Sequence, residues 1–314
     1  MKGKLNYPGG AEFAFTILDD TDDTTLDNGR PVYDLLKQAG LRTTKTVWAF
    51  DTAAENQGPY FAGQTLATPD YLEWVKELSS EGFEIAFHNA TMGSSTRQDT
   101  IRALDYIEEE IGQPVRLHCN HGQNRENLYW GPDRYSTYIL KKLLQINSRR
   151  EATLKFDGHE PQSPYYWADV AVARLTYMRA FAFRRLNGRQ IVPGRHFKDP
   201  LKKETPILFN TADAPDVHAF NKLVNTKSLE KLRKQGGWAI VSTHIGKGFY
   251  RDKKLNPDFQ TTIQYLKEQP GWYVPVSQLL DHINSEQGIK ELTRLERFMM
   301  ETSHVMDRLF SRIL

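Results

Sequence analysis

The chain has a single cysteine, Cys119, among 314 residues. One cysteine excludes an intramolecular disulfide and indicates a reducing compartment. No apolar run approaches the ~20 residues that a membrane-spanning helix needs, and the start MKGKLNYPGG has no apolar signal core. The net charge of +2 gives no electrostatic case for binding nucleic acid or an anionic membrane. We therefore expect a cytoplasmic protein that binds neither.

What the chain does have is a regular alternation of element types. Apolar residues make up 39% and charged residues 25%, which is typical of a globular protein with a substantial core. Short apolar runs predict strands, and stretches of helical spacing lie between them, which indicates parallel strands joined by right-handed crossovers. The predicted strands are 13–18, 45–50, 83–87, 115–119, 206–210, 238–242 and 271–275.

Three segments need separate mention. Pro31 and Gly40 bracket a predicted helix, since Pro suits the first turn and Gly the position after the end. Residues 165–186 are apolar and helix-length, but the phase of their pattern is poorly defined. Residues 189–206 are rich in Pro, Gly and basic residues and predict a loop.

The C-terminal segment 285–314 predicts an amphipathic helix, added to a main domain of residues 1–284. Its polar face mixes both signs of charge, so a role on a membrane surface is not favoured. We expect it to close one end of the fold or to form a homo-oligomer with another subunit. The apolar residues that share its face are Ile289, Leu292, Leu295, Phe298, Met299, Met306, Leu309 and Ile313.

A group of carboxylates follows the first predicted strand. The strand ends at Asp19 and Asp20, and Asp22 and Asp23 come directly after it. Four carboxylates repel one another and are costly to gather without a cation or a chemical task. We predict a site at Asp19 and Asp20, and ordinary turn or capping roles for Asp23 and Asp27.

Histidines follow three other strands in the same way. His88, His121 and His244 each stand where an apolar run ends. The carboxyl ends of the strands in a parallel barrel share one face, and active sites lie on that face. One such histidine would be ordinary, but three together with a carboxylate pair favour a site. Asp and His suit zinc or a similar divalent ion.

These motifs resemble those of the polysaccharide deacetylases, the NodB-like carbohydrate esterases. Ile17-Leu18-Asp19-Asp20 resembles the first motif, Phe87-His88-Asn89 the second, and Val241-Ser242-Thr243-His244 a late one. The resemblance covers residues 10–284. It implies an α/β fold, a distorted (β/α) barrel of about seven parallel strands.

The resemblance also implies a function and residue roles. Asp19 would be the catalytic base and His244 the catalytic acid, while Asp20 and His88 would bind the metal. The expected activity is metal-dependent hydrolysis of an N- or O-acetylated sugar, with zinc as the preferred ion.

Two departures from the family pattern affect this prediction. The family has a second metal-binding His four residues after the first, and Met92 stands there. The Arg-containing third motif is not recognisable either. We expect His121 to replace the missing ligand, because it too ends a strand. The surrounding segment, NHGQNRENLYWG, suits either a carbohydrate site or a well-capped loop. Candidate substrate-binding residues are Asn89, Asn124, Arg125, Trp130 and Asp213.

Other functions remain open at this point. Asp20-Thr21-Asp22-Asp23-Thr24 fits the D-x-D-x-T signature of haloacid-dehalogenase-like phosphatases, which use two aspartates and magnesium. That alternative leaves the three histidines idle and lacks a later acidic pair. Asp20-x-Asp22 also matches a short glycosyltransferase metal motif that recurs by chance. A third alternative is a catalytically inactive glycan-binding protein on the deacetylase fold. Metal content separates these alternatives.

Overall fold

The computed structural model describes residues 5–53, 62–147 and 154–310. Its strands are β1 Phe13–Asp19, β2 Thr44–Val47, β3 Glu84–Phe87, β4 Leu117–His118, β5 Tyr177–Phe183, β6 Phe197–Lys198, β7 Ile207–Asp213, β8 Trp238–Thr243, β9 Tyr250–Arg251, β10 Lys254–Leu255, β11 Gly271–Trp272 and β12 Lys290–Glu291. Its α-helices are α1 Leu26–Gln38, α2 Pro69–Ser80, α3 Arg97–Ile111, α4 Tyr138–Asn147, α5 Ala168–Arg174, α6 Val217–Leu223, α7 Thr226–Lys234, α8 Pro257–Lys267, α9 Val276–Gln287 and α10 Arg294–Phe310.

Seven parallel strands close into a barrel. Their order is β1-β2-β3-β4-β5-β7-β8, and β8 pairs with β1 over six residues to complete the ring. Helices surround the ring, so the predicted α/β fold with a (β/α) barrel is confirmed. β11 pairs with β1 outside this ring, and β6 runs antiparallel to β7. The predicted strand 271–275 is therefore not a member of the barrel.

The strand that takes its place is β5, which the sequence pattern hid. The segment 165–186 forms two elements, α5 and β5, instead of one long helix. Arg179 lies in the middle of β5 among aromatic and apolar residues. Barrel strands are buried on both faces, so they read as continuous apolar runs that resemble a buried helix. A basic residue inside such a run further weakens the strand pattern.

Helix α1 also differs from its prediction. It begins at Leu26 because Thr25 caps it, with the Thr25 hydroxyl accepting from Asn28 N and the Asn28 side chain accepting from Thr25 N. Pro31 consequently lies inside the helix and not in its first turn. Gly40 follows the end as predicted, with φ of 78°. The early start matters because it brings the carboxylate loop directly onto a helix N-terminus.

The C-terminal segment contains more than one helix. Position 285 falls inside α9, and α10 begins only at Arg294. Helix α10 packs on α4 and β5, where the Glu301 carboxylate accepts from Ser136 N at 2.9 Å. The single helix predicted over 285–314 is therefore wrong in its start, and residues 311–314 lie outside the described residues. The two-domain division and the homo-oligomer stay predictions.

The apolar residues of that segment divide into two sets. Leu292 and Met300 are buried against the barrel. An exposed set remains on the other side of the helix. It comprises Leu295, Phe298, Met299 and Met306. None of the described helices is both long and apolar enough to cross a membrane.

A buried histidine in β4 makes the fold sensitive to acid. His118 is fully buried, and burial lowers its pKa to about 3. Below the unfolded-state pKa of ~6.5, the unfolded chain binds a proton that the folded chain cannot accept. The contribution of neutral His118 to the free energy of unfolding is therefore fully present above that pH and is lost as the pH falls. We expect urea unfolding at several pH values to show that the free energy of unfolding falls as the pH is lowered. For wild type this fall should be up to ~1.4 kcal/mol per pH unit steeper than for His118→Gln. Parallel curves for the two proteins would contradict this expectation.

Candidate functional site

A cavity of about 280 Å³ opens among the carboxyl ends of the barrel strands. Parallel barrels carry their active sites at this face. Its wall combines acidic, imidazole and guanidinium groups with one large aromatic side chain. The lining residues are Asp20, Asp22, His88, Asn120, His121, Gly122, Trp130, Arg134, Arg179, Ala180, Ala182, Asp213, Pro215, Ser242, His244 and Arg308.

Asp22 lies between three imidazoles. Its Oδ1 is 3.3 Å from His88 Nε2, and its Oδ2 is 3.7 Å from Nε2 of both His121 and His244. Each histidine follows a different strand, β3, β4 and β8. The three histidines predicted from their positions therefore converge, and they do so on Asp22 instead of the predicted Asp20.

Each of these imidazoles is anchored through its other nitrogen. His88 Nδ1 lies 2.9 Å from Cys119 O, and His244 Nδ1 lies 2.7 Å from Pro215 O. A carbonyl oxygen can only accept, so Nδ1 carries the proton in both rings. In the neutral form, Nε2 then presents a lone pair to Asp22. Metal-binding histidines typically show this arrangement, with the remote N–H donated to a fixed acceptor.

The charges of the cluster are strongly coupled. Burial raises the pKa of Asp22, but His121 and His88 outweigh it and hold that pKa well below its usual value. Burial lowers the pKa of His88, and the neighbouring Asp22 and Asp20 only partly oppose this. For His121, burial also lowers the pKa, yet Asp22 outweighs it and the pKa is raised. Asp22 is thus ionised, and it lies beside a neutral His88.

Asp20 forms a separate ion pair with Arg179. Its Oδ2 accepts from Arg179 at 2.5 Å and from Ser242 Oγ at 3.2 Å. Burial raises the pKa of Asp20, but the Arg179 charge, then His88 and His244, outweigh it and the pKa is lowered. Asp20 Oδ1 is buried without a hydrogen-bond partner in the described residues. Asp20 Oδ1 lies 4.0 Å from His88 Nδ1, but that nitrogen already donates to Cys119 O.

Asp19 does not reach the cavity. It is fully buried, and its Oδ2 accepts from Tyr33 Oη at 2.9 Å and from Lys45 Nζ at 3.1 Å. Its Oδ1 accepts from Ile245 N at 2.9 Å. Both oxygens are occupied on the helix side of the strand. The geometry argues against the base role predicted for Asp19, because side chains alternate along β1 and Asp20 takes the inward direction.

The predicted substrate-binding residues divide into two groups. Trp130 and Asp213 line the cavity. Asn89 and Asn124 are buried behind His121, which they hold in place. Arg125 pairs with Asp157 and stacks on Tyr165 at 4.4 Å, outside the cavity wall. These three residues do not line the cavity, and their polar groups are engaged by neighbours, which argues against direct contact with a substrate in it.

The loop after β8 closes against the Asp22 loop. Gly246 makes this approach feasible, because a Cβ there would lie 2.2 Å from the Asp23 backbone carbon. Lys247 from the same loop lies 3.9 Å from Asp22 and 3.5 Å from Asp23. The contact thus brings a lysine charge beside both aspartates of the loop.

Sequence reasoning missed two residues at the centre of the site. Asp22 enters the sequence analysis only through the phosphatase and glycosyltransferase alternatives, although D-x-D spacing places a second carboxylate past the strand end. Arg179 gave no usable signal, because β5 itself was not predicted. Arg134 stacks on Trp130 at 3.2 Å, and both belong to the cavity wall.

Comparison with known proteins supports the fold. No family model and no curated protein matches the sequence. A solved structure assigned as a polysaccharide deacetylase from Pseudomonas aeruginosa PAO1 aligns with a TM-score of 0.55 at 12% identity, covering 92% of this chain and 96% of its own. One from Mycobacterium smegmatis aligns with a TM-score of 0.51 at 12% identity, covering 93% and 97%. The chain has the fold of the polysaccharide deacetylases.

A PuuE allantoinase is similar to the same extent, with a TM-score of 0.55 at 10% identity and coverage of 92% and 96%. At such identities the likeness concerns the fold alone. The function must therefore be argued from the residues of the cavity.

Proposed function

We propose that this protein is a hydrolase of the polysaccharide deacetylase type, which removes an acetyl group from an N- or O-acetylated sugar. The observation that carries the proposal is the convergence of three anchored imidazoles on Asp22 inside a cavity at the catalytic end of the barrel. Trp130 supplies an aromatic wall on which a sugar ring can pack, and Asp213 supplies an acceptor for its hydroxyls.

The proposal includes a divalent metal, with zinc preferred. In the described segments no three His, Cys, Asp or Glu side chains form a recognisable metal cluster as they stand. The donor set fits a cation for two physical reasons. Asp22 Oδ1 is buried without a hydrogen-bond partner in the described residues, and neutral His88 presents a lone pair to it at 3.3 Å. These two electron-rich atoms would repel each other in a buried site unless a cation lay between them.

Asp22, His88 and His121 would hold the ion, replacing the predicted set of Asp20, His88 and His121. This set combines two neutral imidazoles with one carboxylate, which is a common arrangement for zinc in hydrolases. When bound, the ion would polarise the acyl carbonyl and lower the pKa of water. The cytoplasmic location stays a prediction that the structure does not address.

Asp20 and His244 then take the proton-transfer roles. Arg179 and Ser242 hold one Asp20 oxygen, which leaves Oδ1 able to accept a proton from the attacking water. The arginine keeps Asp20 ionised, so it is ready to act as the base at neutral pH. His244 Nε2 faces the cavity, while Nδ1 is tied to Pro215 O. In its doubly protonated form it can therefore deliver the Nε2 proton to the departing amine or alkoxide and return to the neutral Nδ1–H ring.

The first experiment is elemental analysis of the purified protein together with an assay for acetate release from acetylated sugars. We expect about one tightly held divalent ion per chain, and acetate release that a chelator abolishes and zinc restores. Metal without activity on any acetylated sugar would refute the substrate class. Glycan binding without metal or acetate release would favour the inactive glycan-binding protein instead.

His244→Ala provides a test of the acid role. We expect the variant to keep its metal and to lose ~10²–10⁴-fold in turnover on an amide, which is typical of a lost general acid. The loss should shrink on an activated ester, whose leaving group departs without a proton. Equal losses on both substrates would remove His244 from the acid role, and loss of the metal would make it a ligand.

The phosphatase alternative has less support. It assigned no task to His88, His121 and His244, whereas the structure gathers all three around Asp22. The closed barrel is also the fold of the deacetylases. We therefore do not carry the magnesium-dependent mechanism further.

A further inference from the structure

A buried glutamate lies behind the site and takes no part in the roles described so far. Glu126 belongs to the loop after β4, and its side chain is fully buried. Its Oε1 accepts from Asn89 Nδ2 at 2.9 Å and from Asn124 Nδ2 at 2.8 Å. Its Oε2 accepts from Ser95 N at 3.0 Å. Burying a carboxylate is costly, so three converging donors indicate a task for it.

Both amides that Glu126 binds hold His121 with their other end. Asn124 Oδ1 accepts from His121 Nδ1 at 2.8 Å. Asn89 Oδ1 accepts from the backbone N–H of His121 at 2.9 Å. One carboxylate oxygen is thus connected to the ring and to the backbone of the same histidine. Asn127 Nδ2 also donates to His121 O and to no part of Glu126.

Glu126 favours one direction for these hydrogen bonds. An ionised carboxylate only accepts, so both asparagines must turn their NH₂ groups toward it and their oxygens toward His121. For Asn124 the same orientation is favoured by Gly93 O and Thr91 O, which accept from Nδ2 at 2.7 and 3.0 Å. The proton of neutral His121 is then held on Nδ1, and its Nε2 lone pair points to Asp22.

We propose that Glu126 is a positioning residue that sets the tautomer and the direction of His121 through Asn124 and Asn89. The inference rests on the proposed function in one respect, that His121 Nε2 binds a metal. A merely structural role is the competing account, since Glu126 also fixes the turn at Ser95 and its backbone oxygen accepts from Trp167 Nε1 at 2.6 Å.

The test compares Glu126→Gln with the matched control Glu84→Gln. Glu84 is a half-buried carboxylate that accepts from Thr44 Oγ1 at 2.6 Å and from Ser277 N at 3.1 Å, away from the cavity. In Glu126→Gln one oxygen becomes an NH₂ group. Where that group takes the place of Oε1, it faces the Nδ2 donors of both asparagines and favours a flipped Asn124, which presents an N–H to His121. Two quantities are measured: zinc affinity by competition with a chelator, and the His121 tautomer by ¹⁵N NMR of histidine-labelled, metal-free protein at alkaline pH.

We expect Glu126→Gln to weaken zinc binding by about 10–100-fold, as is usual for partners of metal ligands, and to populate the Nε2–H tautomer of His121. Glu84→Gln should change neither quantity, even where it unfolds more easily. If Glu126→Gln does not fold, Asn124→Ala should reproduce the tautomer shift, because it removes the acceptor of Nδ1. An unchanged tautomer in the folded variant overturns the inference. A shifted tautomer in a protein that binds no zinc supports it and refutes the metal in the proposed function.

Discussion

Asp22→Asn should lose both the metal and turnover. The carboxylate is the only anionic group among the described residues that lies within 4 Å of Nε2 of all three histidines. An asparagine keeps the shape but removes the charge that balances the ion. Loss of a partner that only orients a ligand already costs about 10–100-fold in affinity, so loss of a charged ligand should exceed 100-fold.

The neighbouring aspartate provides the control. Asp23 also bears a carboxylate, but its ion pair is with Lys247 and its φ of 61° is a conformation that Asn tolerates well. Asp23→Asn should therefore retain metal and activity. Asp20→Asn should keep the metal and lose turnover, because Asp20 is the proposed base. Zinc titration and acetate release on the three variants separate these roles, and metal loss in Asp20→Asn with retention in Asp22→Asn would reverse them.

Much of the site could be predicted because parallel strands deliver their last residues to one face. The prediction that His88, His121 and His244 gather there needed only three apolar runs and their end points. The barrel followed from the alternation of elements in the same way. Such inferences hold because the periodicity of apolar residues is local in the sequence and indicates which face of an element is buried.

The errors arise where the outcome depends on the third dimension. The pleat of β1 and the loop at Gly246 decide which of the four carboxylates face the cavity. Sequence spacing alone indicates neither the direction of the pleat nor the path of the loop. Arg179 was missed because a strand buried on both faces looks like a helix in sequence. Asn89 and Asn124 were expected to contact substrate, but polar residues near a site also support its ligands. The likeness to a family motif places the base and the metal ligand at Asp19 and Asp20, one and two residues before the positions that we propose for them.

Asp19 instead belongs to a buried ion pair in the barrel wall. Lys45 is fully buried, and Nζ lies 3.1 Å from Asp19 Oδ2. Burial lowers the pKa of Lys45, but the Asp19 charge outweighs it and the pKa is raised. Three aromatic rings surround the ammonium group at 5.5–5.7 Å, which adds cation–π attraction. They belong to Tyr33, Tyr71 and Trp74.

Lys45→Met should consequently be among the most destabilising single substitutions in the barrel. It preserves most of the volume but leaves the Asp19 carboxylate buried without its counter-charge, which typically costs ~3–5 kcal/mol. That is a large part of the ~5–15 kcal/mol that stabilises an ordinary protein. The double variant Asp19→Asn/Lys45→Met should recover part of the loss, because neither charge then remains unpaired. Lys37→Met, which breaks the surface pair with Glu81, should cost less than ~1 kcal/mol and serves as the control. Urea unfolding gives all three values, and a Lys45→Met loss no larger than that of Lys37→Met would show that Asp19 does not depend on the ammonium group for its charge.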